Sequence, residues 1–121
     1  MGNVSNKGFV YSLNDYQLAI ETSKELEYLL EKEFHARGQG LHEKVSSVEG
    51  AIPNVTVRSI RYVATLRNKL IHDRETRALP DRQQFIKKFN DAMGELNIII
   101  DKKRMDARSQ GPHSSPVCII S

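Results

Sequence analysis

The stretch Leu66-Arg67-Asn68-Lys69-Leu70-Ile71-His72-Asp73-Arg74 gathers the side chains of this chain best suited to chemistry. Histidine takes and gives protons near neutral pH. Arginine grips a phosphate with two parallel N–H donors and steadies negative charge as it builds in a transition state. Asparagine orients an imidazole or donates to a phosphate oxygen. On RNA the ribose 2′-hydroxyl is itself the nucleophile. Arg67, Asn68 and His72 therefore form a set for RNA cleavage that asks for no metal, no cofactor and no protein nucleophile. The same residues also have plain structural uses. His72 suits a helix C-terminus, where a cation meets the negative end of the dipole. Arg67 suits an ion pair with Glu25 or Glu27. Arg58, Arg61, Lys69 and Arg74 are either solvated charge or a shallow track for an RNA backbone.

Spacing constrains how these groups can meet. Arg67 falls in line with Ile60, Val63, Leu70 and Ile71, so its guanidinium approaches the core and requires a carboxylate, a phosphate or a polar cavity. Asn68 and His72 are four apart and share a helix face. Arg67 and His72 are five apart, and on a straight helix they point about 140° from one another. One copy does not easily aim both at a common point. Two copies across a two-fold axis do, which makes a homodimer the expected functional unit. Tyr62 reads as packing, and His35, His42 and His113 show no metal-ligand spacing with one another or with Cys118.

Arg67-Asn68-x-x-x-His72 at the end of a helix in a small bundle resembles the HEPN superfamily (higher eukaryotes and prokaryotes nucleotide-binding). Its motif is an arginine, usually a polar residue such as asparagine, and a histidine four to six residues after the arginine. The upstream stretch Ala36-Arg37-Gly38-Gln39-Gly40-Leu41-His42-Glu43-Lys44-Val45 resembles the loop and short helix of one bacterial branch. The resemblance covers about residues 14–105. It implies a helical bundle dimerising through the motif helices and, in many members, a metal-independent endoribonuclease serving as a toxin or defence component. An antitoxin or other partner protein belongs to that picture. By position, Arg67 and His72 are then the catalytic pair and Asn68 the supporting polar residue. Other members are inactive and serve as dimerisation or nucleotide-binding modules, which is the alternative reading for this chain.

The elements that must hold these residues are helical. Tyr16, Ile20, Ser23, Leu26, Leu30 and Phe34 recur at spacings of three and four, predicting an amphipathic helix over about 14–36, capped by Asn14 or Ser12. Gly38-Gln39-Gly40 ends it, and Leu41, Val45 and Val48 predict a short helix over about 41–48. The motif helix is expected over about 55–72, with Asn54 as its cap. Asp81 and Gln84 make a capping-box-like pair ahead of a last helix over about 82–104, which buries Phe85, Ile86, Phe89, Met93, Leu96, Ile99 and Ile100. The fold class is all-α: a compact bundle of three long helices and one short one. Residues 1–12 read as a flexible arm from which Phe9 and Tyr11 can tuck against the domain, 13–106 as the bundle, and 107–121 as a disordered tail.

With 121 residues the chain is one domain, and 18 basic against 15 acidic residues give a net charge of +3, too little by itself to mark a nucleic-acid binder. No apolar run approaches the roughly 20 residues of a spanning helix, and the N-terminus lacks the apolar core of a secretory signal. The one cysteine cannot form an internal disulfide and fits a reducing, cytoplasmic setting. It stands in Cys118-Ile119-Ile120-Ser121, a C-a-a-X pattern for prenylation, with Lys102, Lys103, Arg104 and Arg108 upstream as a second, electrostatic signal toward a membrane surface. If the tail is lipidated, Cys118→Ser moves the protein from the membrane fraction to the supernatant in a eukaryotic cell. Equal partitioning of the two proteins refutes it.

Overall fold

Each helix has an apolar stripe to cover, and covering all of them at once decides the architecture. The computed structural model describes residues 10–109. Among them the chain is an all-α bundle of α1 (Asp15–Phe34), α2 (Gly40–Ser47), a single 3₁₀ turn (Glu49–Ala51), α3 (Asn54–His72) and α4 (Arg82–Ser109). Three long helices and one short one form the expected class. α3 is the central element: it packs along α4 and α1 and receives α2 on a remaining flank. No described helix is long and apolar enough to cross a membrane. Cys118 and the expected tail from residue 110 onward lie outside the described residues, as do residues 1–9 with Phe9.

Asn14 caps α1, its Oδ1 accepting the Gln17 N–H at 3.1 Å. Leu18, Ala19, Thr22, Ser23, Leu26, Leu30 and Phe34 form the buried stripe. Tyr16 does not join it and is 38% exposed. In that first turn the half-buried residue is Asp15, whose carboxylate accepts the Leu79 N–H at 2.9 Å and pairs with Arg82 at 2.6 Å. α1 ends earlier than its spacing suggested, because His35 adopts the left-handed conformation at φ 61° and returns its N–H to Glu31. Tyr11 lies edge-on to Phe89 and its hydroxyl donates to Asn90, so this part of the N-terminal segment is tucked in.

α2 starts from a glycine turn with little alternative. Gly38 sits at φ +120°, and a Cβ there would lie 2.6 Å from the Cβ of Glu43. The Glu43 carboxylate accepts the Gln39 N–H at 2.9 Å. Lys44 then anchors α2 to α1. Its ammonium is 3.3 Å from Glu27, 3.2 Å from Glu31 and 3.0 Å from the Gly38 carbonyl, and the residue is only 7% exposed. Burial opposes the charge, but the hydrogen bond to Glu31 and then the attraction of Glu27 outweigh it, and the Lys44 pKa lies above its ordinary value.

Pro53, not Asn54, precedes the first turn of α3, its carbonyl accepting from Thr56 and Val57 at 3.0 Å each. Asp81 caps α4 as its spacing suggested, accepting the Gln84 N–H at 3.0 Å. α4 continues past Arg104 to Ser109, since no glycine or proline stands between Arg104 and Gly111. Phe85, Phe89, Ala92, Met93, Leu96 and Ile100 bury one side of it in a core shared with Ile60, Val63 and Leu70 of α3. Near its C-terminal end Arg104 pairs with Glu33 at 2.9 Å, and Lys103 lies over the Phe34 ring at 4.4 Å. Two of the bases expected to face a membrane are thus engaged with α1.

Lys44→Met keeps the aliphatic stem and removes the charge shared by two carboxylates and a carbonyl. It is expected to cost about 2–3 kcal/mol, less than a fully buried pair because both glutamates retain access to water. Urea unfolding checks this as a lowered midpoint at unchanged slope.

Candidate functional site

α3 carries the motif and the start of α2 roofs it. Arg67 is half-buried and lines a cavity of about 290 Å³ between α1, α2 and α3, with Glu27, Gln39, Gly40, Leu41, His42, Glu43, Ala64 and Asn68. Neither Glu25 nor Glu27 pairs with it: Glu27 is taken by Lys44, and among the described residues no carboxylate stands within ion-pair distance of Arg67. Its Nη1–H donates to Asn68 Oδ1 at 3.1 Å. A half-buried guanidinium with one neutral partner is poised to take an anion.

His72 is the last residue of α3 and is exposed. It lines a second cavity, wide open to solvent and about 420 Å³, with His42, Thr65, Asn68, Lys69 and Asp73. Arg67 and His72 thus open into different cavities of one copy, as a separation of five residues on a helix requires. Asn68 and His42 line both.

His42 and Thr65 are site residues that the spacing of the motif did not single out. His42 Nδ1 is 3.5 Å from Arg61 Nη1, and its Nε2 is 3.3 Å from Thr65 Oγ1. A guanidinium only donates, so Nδ1 accepts, and Nε2 carries the proton and donates to Thr65. Burial, and then the positive charge of Arg61, hold the His42 pKa below its ordinary 6.5. A signal for Thr65 was present in the sequence, since it stands three before Asn68 and seven before His72 on one helix face. His42 had only its place in the Ala36–Val45 stretch.

The four expected backbone-binding bases divide. Arg58, Lys69 and Arg74 are exposed, and Arg74 lines a shallow depression with Glu75 and Arg77. Arg61 is instead built into the α2–α3 seam, donating to Ser46 Oγ at 2.9 Å and pairing with Glu49 at 3.3 Å. Asp73, at the rim of the His72 cavity, accepts the Glu75 N–H at 3.0 Å and the Thr76 hydroxyl at 2.9 Å. Those two bonds, the first the stronger, hold its carboxyl below the ordinary range. Tyr62 is half-buried beside the Lys88 ammonium, in a packing role. Among the described residues no three His, Cys, Asp or Glu side chains converge as a metal site would require.

The His42 environment has a measurable consequence. Its ring protons are expected to titrate below 6.5 in an NMR pH series, and Arg61→Gln is expected to raise that midpoint by removing the neighbouring cation. The unfolded chain takes this proton first as pH falls. The contribution of His42 to stability is therefore intact above about 6.5 and declines below it. A His42 midpoint above 6.5 contradicts the arrangement.

The chain matches no family model, no curated protein and no solved structure.

Proposed function

We propose that this protein is a metal-independent endoribonuclease of HEPN type, working as a homodimer in a toxin or defence setting. The observation that carries the reading is the half-buried Arg67, without a carboxylate partner among the described residues, hydrogen-bonded to the Asn68 that also lines the cavity of His72. In the reaction His72 takes the proton of a ribose 2′-hydroxyl. The 2′-oxygen attacks the adjacent phosphorus, the bond from phosphorus to the 5′-oxygen breaks, and that oxygen leaves with the proton that His72 took up and now returns. The products are a 2′,3′-cyclic phosphate and a 5′-hydroxyl. Arg67 holds the non-bridging oxygens as their charge grows, and Asn68 orients the guanidinium. Lys69, Arg58 and Arg74, all exposed, give the flanking RNA backbone a positive surface.

The second copy follows from the divergence of Arg67 and His72. A two-fold axis beside α3 brings the arginine of one protomer to the histidine of its partner. Ile71 supports a contact there: it stands one turn from Arg67 at the motif end of α3 and is 40% exposed, a large apolar side chain left partly uncovered by the described residues.

Purified protein is expected to cut single-stranded RNA in EDTA and leave 2′,3′-cyclic ends. His72→Ala is expected to lower the rate by about 10²–10⁴-fold with the fold intact, and Arg67→Ala by about 10²–10³-fold. Cleavage that survives His72→Ala contradicts the assignment. An intact dimer that cuts no RNA points instead to a non-catalytic dimerisation or nucleotide-binding module.

A further inference from the structure

The cavity that holds His72 also contains a second imidazole, His42, and the Thr65 hydroxyl bonded to it. We propose that His42 is a positioning residue: its Nε2–H fixes the Thr65 oxygen so that the Thr65 hydroxyl donates into the cavity, where it binds a phosphate oxygen of the RNA. The proposal rests on the endoribonuclease reading and goes beyond it, naming the groups that hold the substrate next to His72.

A threonine inside a helix ordinarily spends its hydroxyl proton on a carbonyl one turn back. Thr22 does this in α1, donating to the Leu18 carbonyl at 2.8 Å. Thr65 does not: its one hydrogen bond to the described chain is to His42, and in it the oxygen accepts. The hydroxyl proton is left over, on an exposed residue of the face that carries Asn68, Lys69 and His72. The imidazole is itself fixed from behind, because Arg61 reaches Nδ1 while tied to Ser46 and Glu49. His42 is poorly suited to move the proton. Its Nε2 already carries one, and protonating Nδ1 would set two cations side by side. Lys69 adds positive charge to the cavity, and the Asp73 carboxylate at its rim is occupied by Glu75 N–H and the Thr76 hydroxyl. A phosphate oxygen therefore meets a neutral donor and a cation there.

The test uses the full chain and two readouts. In steady-state RNA cleavage, Thr65→Ala and His42→Ala each raise KM by about tenfold, the loss of one hydrogen bond to a charged group, while kcat changes far less. Thr65→Ser recovers most of the loss. So does His42→Gln, whose amide N–H donates from near the Nε2 position but cannot relay a proton. The second readout is ¹⁵N NMR of the histidine rings and the backbone amides with added single-stranded DNA dinucleotide, a phosphodiester that lacks the 2′-hydroxyl. It is expected to show His42 as the Nε2–H tautomer at pH 7, and dinucleotide shifts at Thr65 and His72, of which the His72 shift is lost in Thr65→Ala. A His42→Gln variant as impaired as His42→Ala, a wild-type KM in Thr65→Ala, or an Nδ1–H tautomer overturns the proposal. If the wild type cuts no RNA, the endoribonuclease reading fails by itself. The dinucleotide titration then decides alone: a His72 shift lost in Thr65→Ala supports the phosphate site, and no shift overturns it.

Discussion

The buried ammonium of Lys44 is the interaction on which the arrangement of the site depends. Desolvating a charge is costly, and Lys44 recovers that cost only by meeting Glu27, Glu31 and the Gly38 carbonyl together. Those partners come from α1 and from the turn that starts α2, so the ammonium sets where α2 lies. It also removes Glu27 as a counter-ion for Arg67. One charge thus has two effects on the candidate site: His42 is held over α3, and among the described residues the neighbouring guanidinium has no carboxylate within ion-pair distance. The turn at Gly38 is part of the same constraint, since a side chain there would collide with Glu43.

A second constraint is the helix itself. Five residues along α3 carry a side chain about 140° round the axis, and the fold does not bend α3 to undo this. Arg67 faces the α1–α2 side, while His72 stands at the open end beside Lys69 and Asp73. Asn68 and His42 are the side chains common to both cavities. A phosphodiester reaching from one to the other within a copy would pass over them, and in the proposed dimer each protomer would supply the group its partner lacks. Either way the charge pattern is asymmetric. Arg61 is paired with Glu49 within the α2–α3 seam, and the exposed positive charge comes from Arg58, Lys69 and Arg74.

The bundle was legible in the sequence because a stripe at spacings of three and four has few ways to be covered. Leu26, Leu30, Phe85, Phe89 and Leu96 are buried as their spacing requires. The same periodicity misplaced Tyr16, because a long-range ion pair between Asp15 and Arg82 decides which residue of that turn lies inward. The motif residues could be named from their types and spacing, and the divergence of Arg67 and His72 from helical geometry alone. Their partners could not. Whether Arg67 finds Glu27 depends on competition from Lys44, seventeen residues further along the chain from that glutamate. The role of His42 depends on where α2 docks, which only the folded chain determines. Arg61 shows the same limit from the other side: as a type it suits RNA, and in place it braces a histidine.

The most direct test of the two-copy site mixes Arg67→Ala protein with His72→Ala protein, each inactive alone. If Arg67 of one protomer serves His72 of the other, a mixed dimer holds one intact site. Equal mixing after exchange then restores about a quarter of wild-type RNA cleavage, since about half the dimers are mixed. A mixture as inactive as its components, with subunit exchange verified, contradicts a site shared between copies.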